Sequence, residues 1–125
     1  MSTVVDLETS TLRELNAALH AADSGDFSVV NPRGAHAVAA GISTPIGVTI
    51  EGSVGYYCAG MHQAGRVLVQ GNASTGLAEN IMSGEVRITG SATMSAGATG
   101  HGGLLVIEGN SGARCGISMK GVDIV

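Results

Sequence analysis

Aromatic residues are nearly missing from this chain. It has no tryptophan, one phenylalanine and two tyrosines in 125 residues. Any core must therefore be built from Val, Ile, Leu, Met and Ala. Small aliphatics suit narrow stacked layers, where each residue packs on its equivalent one layer away. Charge is also scarce, with six basic and ten acidic residues and a net charge of −4. Without a basic patch to neutralise phosphates, nucleic-acid binding is excluded as a leading reading. Two cysteines are too few for a secreted disulfide framework. The N-terminus is polar and acidic, unlike a signal peptide, and no apolar run is long enough to cross a bilayer. The expectation is a soluble, cytoplasmic protein.

Glycine, by contrast, is abundant at 20 of 125 residues, and it is periodic. Gly52, Gly71, Gly90 and Gly109 stand nineteen residues apart, and Gly65, Gly84 and Gly103 keep the same step. A short apolar run precedes each lead glycine: Val48-Thr49-Ile50, Val67-Leu68-Val69, Val86-Arg87-Ile88 and Leu105-Val106-Ile107. Another begins at Ile124-Val125. A fixed step of this size predicts stacked coils. The glycines are read as structural corners that accept positive φ and let backbones approach.

Alternation along each run sends Val48 and Ile50, Val67 and Val69, Val86 and Ile88, Leu105 and Ile107 inward. Thr49, Leu68, Arg87, Val106 and Val125 then point outward. Three of those five are aliphatic, which predicts cover by a partner or by the N-terminal helix. Nineteen is not a multiple of six, against left-handed hexapeptide coils, and the coils hold almost no Asp, against calcium-binding nonapeptide coils. The predicted fold is all-β, a right-handed single-stranded β-helix with coils of about nineteen residues and a short N-terminal α-helix.

Residues 1–46 are read as an N-terminal lead-in with an irregular first coil, and residues 47–125 as coils that end mid-repeat. Met1 to Leu7 reads as an extended entry. A capping helix spans residues 11–22: Thr11 with Glu14 fits a capping box, and Leu12, Leu15, Leu19 and Ala22 share one face. Phe27 to Val30 reads as a strand, Asn31-Pro32-Arg33-Gly34 as a turn, and Ala35 to Ala40 as another short strand. Gly121 falls one place early in its column. Ending at Asp123-Ile124-Val125 leaves an apolar coil open. That predicts either a longer parent protein or an assembly that covers the coil, with self-association as one form.

Candidate chemistry is sparse. Cys58 and Cys115 are three steps apart in one column with Leu77 and Ala96. Coils rise about 4.8 Å, so the two lie roughly 14 Å apart, beyond the reach of a disulfide. They read as buried structural thiols. His20, His36, His62 and His101 show no metal-ligand spacing. Gly100-His101-Gly102-Gly103 lacks the Lys-Ser/Thr ending of a phosphate loop. Tyr56 and Tyr57 combine packing with a polar tip, and Glu79 and Asn80 read as structural hydrogen-bonding groups or as a subunit contact. No catalytic, cofactor or metal residue is assigned. The candidate interface is Leu68, Val106, Val125, Tyr56, Tyr57, Glu79 and Asn80.

Longer runs carry a resemblance. They are Val54 to Met61, Ala78 to Gly84, Ser95 to Thr99, His101 to Gly109 and Arg114 to Gly121. With the glycine spacing they resemble the GXGXG β-helix at the C-terminus of the glutamate synthase large subunit. They look closer still to its stand-alone members, the GlxC-type subunit also described as the second subunit of N-methylglutamate synthase. The resemblance runs from Leu12 onward, although such relatives extend well beyond Val125. It implies a non-catalytic scaffold subunit. A glutamine amidotransferase subunit would release ammonia, and a glutamate-synthase-like flavoprotein with flavin and iron–sulfur centres would carry the chemistry. In the N-methylglutamate enzyme the product is made from glutamate and methylamine. A rival is the β-helix subunit of a formylmethanofuran dehydrogenase-like complex. Another is an autonomous binding solenoid, for which the outward column lacks the regular threonines.

Overall fold

The computed structural model describes residues 2–112, 115–116 and 123–125. Gly121 and most of the run from Arg114 to Gly121 lie outside the described residues. Seven strands form one sheet in strict chain order. They are β1 (Ser2–Asp6), β2 (Asp26–Val30), β3 (Gly47–Glu51), β4 (Arg66–Val69), β5 (Glu85–Ile88), β6 (Leu104–Ile107) and β7 (Asp123–Ile124). One helix, α1 (Leu12–Ala21), lies between β1 and β2. Every neighbouring pair is parallel. Parallel strands that follow one another in sequence and in space are successive turns of a β-solenoid.

The register stacks equivalent side chains. Val48, Val67, Val86 and Leu105 pair in one line, and Ile50, Val69, Ile88 and Ile107 in the next. All but Ile107 are buried, and they join one continuous core. Each such burial contributes roughly 1.5–3 kcal/mol.

The sheet begins earlier than the nineteen-residue step. β1 pairs with β2 from Ser2↔Asp26 to Asp6↔Val30, so the extended entry is a strand of the same sheet. The first coil is longer by two residues, since Asp26 pairs with Gly47. Backbone hydrogen bonds locate the extra residues. Ala37 donates to Tyr56 O where Tyr57 donates to Thr75 O, so Ala37 lies twenty residues before its partner Tyr57, and from Gly47, which pairs with Arg66, the step is nineteen. One extra residue therefore lies near Pro32 and the other near Pro45, the two prolines of the chain. Proline donates no N–H, so an unmatched residue there costs no rung of the ladder.

The expected strand over Ala35 to Ala40 is absent; that segment is a chain of turns. Ala37 and Ala39 have positive φ (55° and 58°), which breaks a pleat. Backbone pairing puts each in a column that keeps this conformation: Ala37, Tyr57, Gly76 and Ser95 in one, and Ala39, Ala59, Ala78 and Gly97 in the other. A third column holds Gly41, Met61, Asn80 and Thr99. Alternate left-handed residues turn the corner, and between them Val38, Cys58, Leu77 and Ala96 point into the core. Left-handed backbone costs a non-glycine residue about 1–2 kcal/mol. It persists here because inter-coil hydrogen bonds fix it, such as Ala78 N to Cys58 O at 2.8 Å.

The glycines serve two ends. Gly84 has φ +83°, and a Cβ there would lie 2.6 Å from Gly65 O. Gly71 needs no unusual φ, but its Cβ would lie 2.7 Å from the carbonyl carbon of Gly52. After the lead glycines, Ser53, Asn72, Ser91 and Asn110 form a side-chain ladder. Ser53 Oγ accepts from Asn72 N (3.1 Å), Asn72 Oδ1 from Ser91 N (2.8 Å), and Ser91 Oγ from Asn110 N (2.9 Å).

The helix closes the N-terminal end of the stack. Thr11 caps it through the expected capping box, donating its own N–H to Glu14 Oε1 and accepting from Glu14 N. Leu15 and Leu19 are buried in the solenoid core. Asn16 stands in for an absent coil: its Nδ2 donates to Ala37 O and its Oδ1 accepts from Ala39 N, both at 3.0 Å. His20 Nε2 reaches Ala40 O at 2.7 Å. The helix thus lies against the corner loops. It does not cover the outward stripe of the sheet, where cover by the helix was one expectation.

Candidate docking faces

Two surfaces differ from the small-residue background. The first is the outer face of the sheet. Ser28, Thr49, Leu68, Arg87 and Val106 pair in one outward column, with Val4 before and Val125 after. Val4 and Val125 are exposed, whereas Leu68 and Val106 are half-buried. Arg87 interrupts the apolar stripe, and its guanidinium lies between Glu85 (3.6 Å) and Glu108 (3.4 Å). Exposed pairs of this kind contribute little to stability, but they fix where charge sits. A groove of about 430 Å³ lies on this face, with Thr49, Arg66, Leu68 and Arg87 among its lining residues.

The second is on the corner side. Tyr56, Tyr57, Thr75 and Glu79 line a shallow depression of about 320 Å³. Both tyrosines of the chain are in it. Tyr56 stacks on His36 of the preceding coil, with ring centres 4.5 Å apart and 17° between planes, and donates its N–H to His36 Nδ1 at 2.8 Å. Tyr57 has positive φ (60°), and its ring lies over Gly60. The Glu79 carboxylate lies over Gly76, where a Cβ would sit 2.7 Å from Oε2. Asn80 donates weakly to the Tyr57 hydroxyl at 3.5 Å and accepts from the Thr99 hydroxyl. Tyr56, Tyr57, Glu79 and Asn80 thus come together, while Leu68 and Val106 lie on the sheet face.

Elsewhere several titratable groups are built into the fold. Cys58 is fully buried, and desolvation pushes its thiol up to about 12. Cys115 is half-buried in the same column, and both thiols are free. His62 takes a core position between Ile42 and Ile81, fully buried. Its Nε2 pairs with Gly65 O at 2.9 Å, Nδ1 has no partner, and burial holds its pKa below the usual histidine value. In sequence phase His62 shares a column with Ile81, Gly100 and Met119, and Ile42 joins that column only through the longer first coil, so its burial was not marked in the sequence. His101 is exposed, and Gly100 and Gly103 beside it belong to the corner. The Asp6 carboxyl is held low by hydrogen bonds from Asn31 Nδ2 and Glu8 N, and Glu14 by its capping role. No trio of His, Cys, Asp or Glu that could hold a metal occurs among the described residues. No helix among them is long and apolar enough to cross a membrane.

No protein-family model matches the chain, and no solved structure does. A curated protein does match: the chain is 59% identical over 89 residues to Protein GlxC of Rhizobium meliloti (strain 1021). The matched segment is 68% of this chain and 39% of that protein, so the chain spans well under half the length of the relative. Identity at that level over 68% of the chain makes this solenoid a relative of Protein GlxC.

Proposed function

We propose that the chain is a non-catalytic scaffold subunit of a glutamate-synthase-like complex. Within that class it is of the N-methylglutamate synthase type, acting on glutamate and methylamine. The relationship to Protein GlxC carries this reading, joined to the runs that resemble the glutamate synthase GXGXG domain. The physical character of the molecule supports it. Two of its reactive side chains are built into the core: Cys58 is buried and protonated, and His62 is buried between isoleucines. Its two distinctive surfaces lie on different sides of the coil, as a post that holds two neighbours apart would require. Flavin, iron–sulfur and amidotransferase chemistry belong to the partner subunits in this reading.

Affinity purification of the tagged chain from its native host tests it. Recovery of an amidotransferase subunit and a flavoprotein is expected, with glutamine-dependent formation of N-methylglutamate in the eluate. Recovery of the chain alone overturns the reading.

A further inference from the structure

The corner depression is a small, specific structure on a side of the coil whose other exposed large side chains include Met61, Met82 and Met94. Its column order explains its shape. His36, Tyr56, Thr75 and Met94 follow one another on successive coils. His36 and Tyr56 stack, and then the column drops to threonine. The short Thr75 side chain leaves a gap one coil high beside the tyrosine. Tyr57 forms a second aromatic wall. It is held in a left-handed conformation that Ala, Gly or Ser occupies at the other three coils of its column, which is unusual for a bulky residue. Glu79 closes the gap, at a position that is Gly60 one coil before and Ala98 one coil after. Among the described residues its carboxylate has no ion pair. Gly60 and Gly76 provide the space in which Tyr57 and Glu79 lie.

Two tyrosine rings, a hydroxyl and an unpaired carboxylate around one opening match a planar cation. A guanidinium can extend the His36–Tyr56 stack while its N–H groups pair with Glu79. An ammonium lacks the flat face and the fork of donors. We infer that Tyr56, Tyr57, Thr75 and Glu79 form a socket for an arginine side chain projecting from a partner protein. The inference rests on the scaffold reading for the existence of that partner, and the chemistry of the socket names the residue that enters it.

The test is an NMR titration of the isotope-labelled full chain with N-acetyl-arginine amide, against the lysine and citrulline amides as controls. Saturable shifts at Tyr56, Tyr57, Gly76 and Glu79 are expected with arginine. Binding about tenfold weaker is expected for citrulline and for Glu79→Gln and Tyr56→Ala, with Tyr56→Phe retaining affinity. Equal binding of citrulline or lysine, or an unchanged response in Glu79→Gln with a native spectrum, overturns the socket. The purification separates this from the scaffold reading. If partners copurify equally with wild type and Glu79→Gln, the socket fails and the scaffold stands. If wild type brings down no partner, the scaffold fails and the titration still decides the socket.

Discussion

Each coil has two unlike halves, and both carry hydrogen bonds to the coils above and below. On the sheet side, alternating Val and Ile residues fill two inward columns, and any β-branched residue suits the backbone. On the corner side, one inward column (Val38, Cys58, Leu77, Ala96) is flanked by residues in left-handed backbone. Stability on the first side comes from side-chain type. On the second it comes from the absence of side chain and from tolerance of positive φ. The same substitution should therefore have opposite consequences on the two sides.

The largest break is at a second-series glycine. Gly84→Ala combines a left-handed φ with a Cβ 2.6 Å from Gly65 O. Strain of about 1–2 kcal/mol and overpacking of about 1–3 kcal/mol add to a loss of about 3 kcal/mol. Chemical denaturation should show it as a lower midpoint at unchanged slope. Gly34 is also at positive φ, but a methyl group there would meet nothing within 4 Å, so Gly34→Ala should lose only the strain part.

Next is the closing helix. Asn16→Ala removes the groups that satisfy Ala37 O and Ala39 N where no coil precedes them. A loss of about 2 kcal/mol is expected. Hydrogen exchange should localise it, with faster exchange at Ala39 and little change at Val86 on the sheet side.

These two sites mark how far the sequence could be read. The sheet side was legible because β-branched residues recur at Val48, Val67 and Val86 in fixed phase. The helix was legible from its leucines and from Thr11 with Glu14. β1 was not, because α1 intervenes and removes the phase that would tie Val5 to Val29. The corner columns were hidden because alanine carries no mark of left-handed backbone. Their signal lay in comparison across coils, where Gly76 and Gly97 take the places of Tyr57 and Ala59. The Ser53–Asn72–Ser91–Asn110 ladder was visible as residue types but not as bonds. The depression needed three dimensions, since Thr75 and Glu79 reach Tyr56 and Tyr57 only through coil stacking.

His62 tests the corner's tolerance of a polar core group. Its folded pKa lies below the ordinary 6.5, so the unfolded chain takes up the proton first. Its neutral form is fully favoured above that value. Stability should fall as pH drops through about 6.5 and level off once the folded value is passed. His62→Ile, matching Ile42 and Ile81, should remove that slope and add about 1 kcal/mol by eliminating the unpaired Nδ1. Asp6 and Glu14, whose pKa values are lowered, should still cost stability at more acid pH, below the ordinary carboxylate range. Thermal melts from pH 7 to pH 5 check the sign.

The smallest effect discriminates best. Met61 has φ +53° in a column shared with Gly41, and the residue is 43% exposed. Met61→Gly relieves left-handed strain and loses little burial, so it should gain about 0.5 kcal/mol net of the added unfolded-state entropy. Leu68→Gly, at a half-buried pleated position, should lose about 1 kcal/mol or more. Opposite signs from the same replacement follow only if the two halves of the coil obey different rules. Equal losses would mean that the corner backbone is held by side-chain packing, as the sheet is.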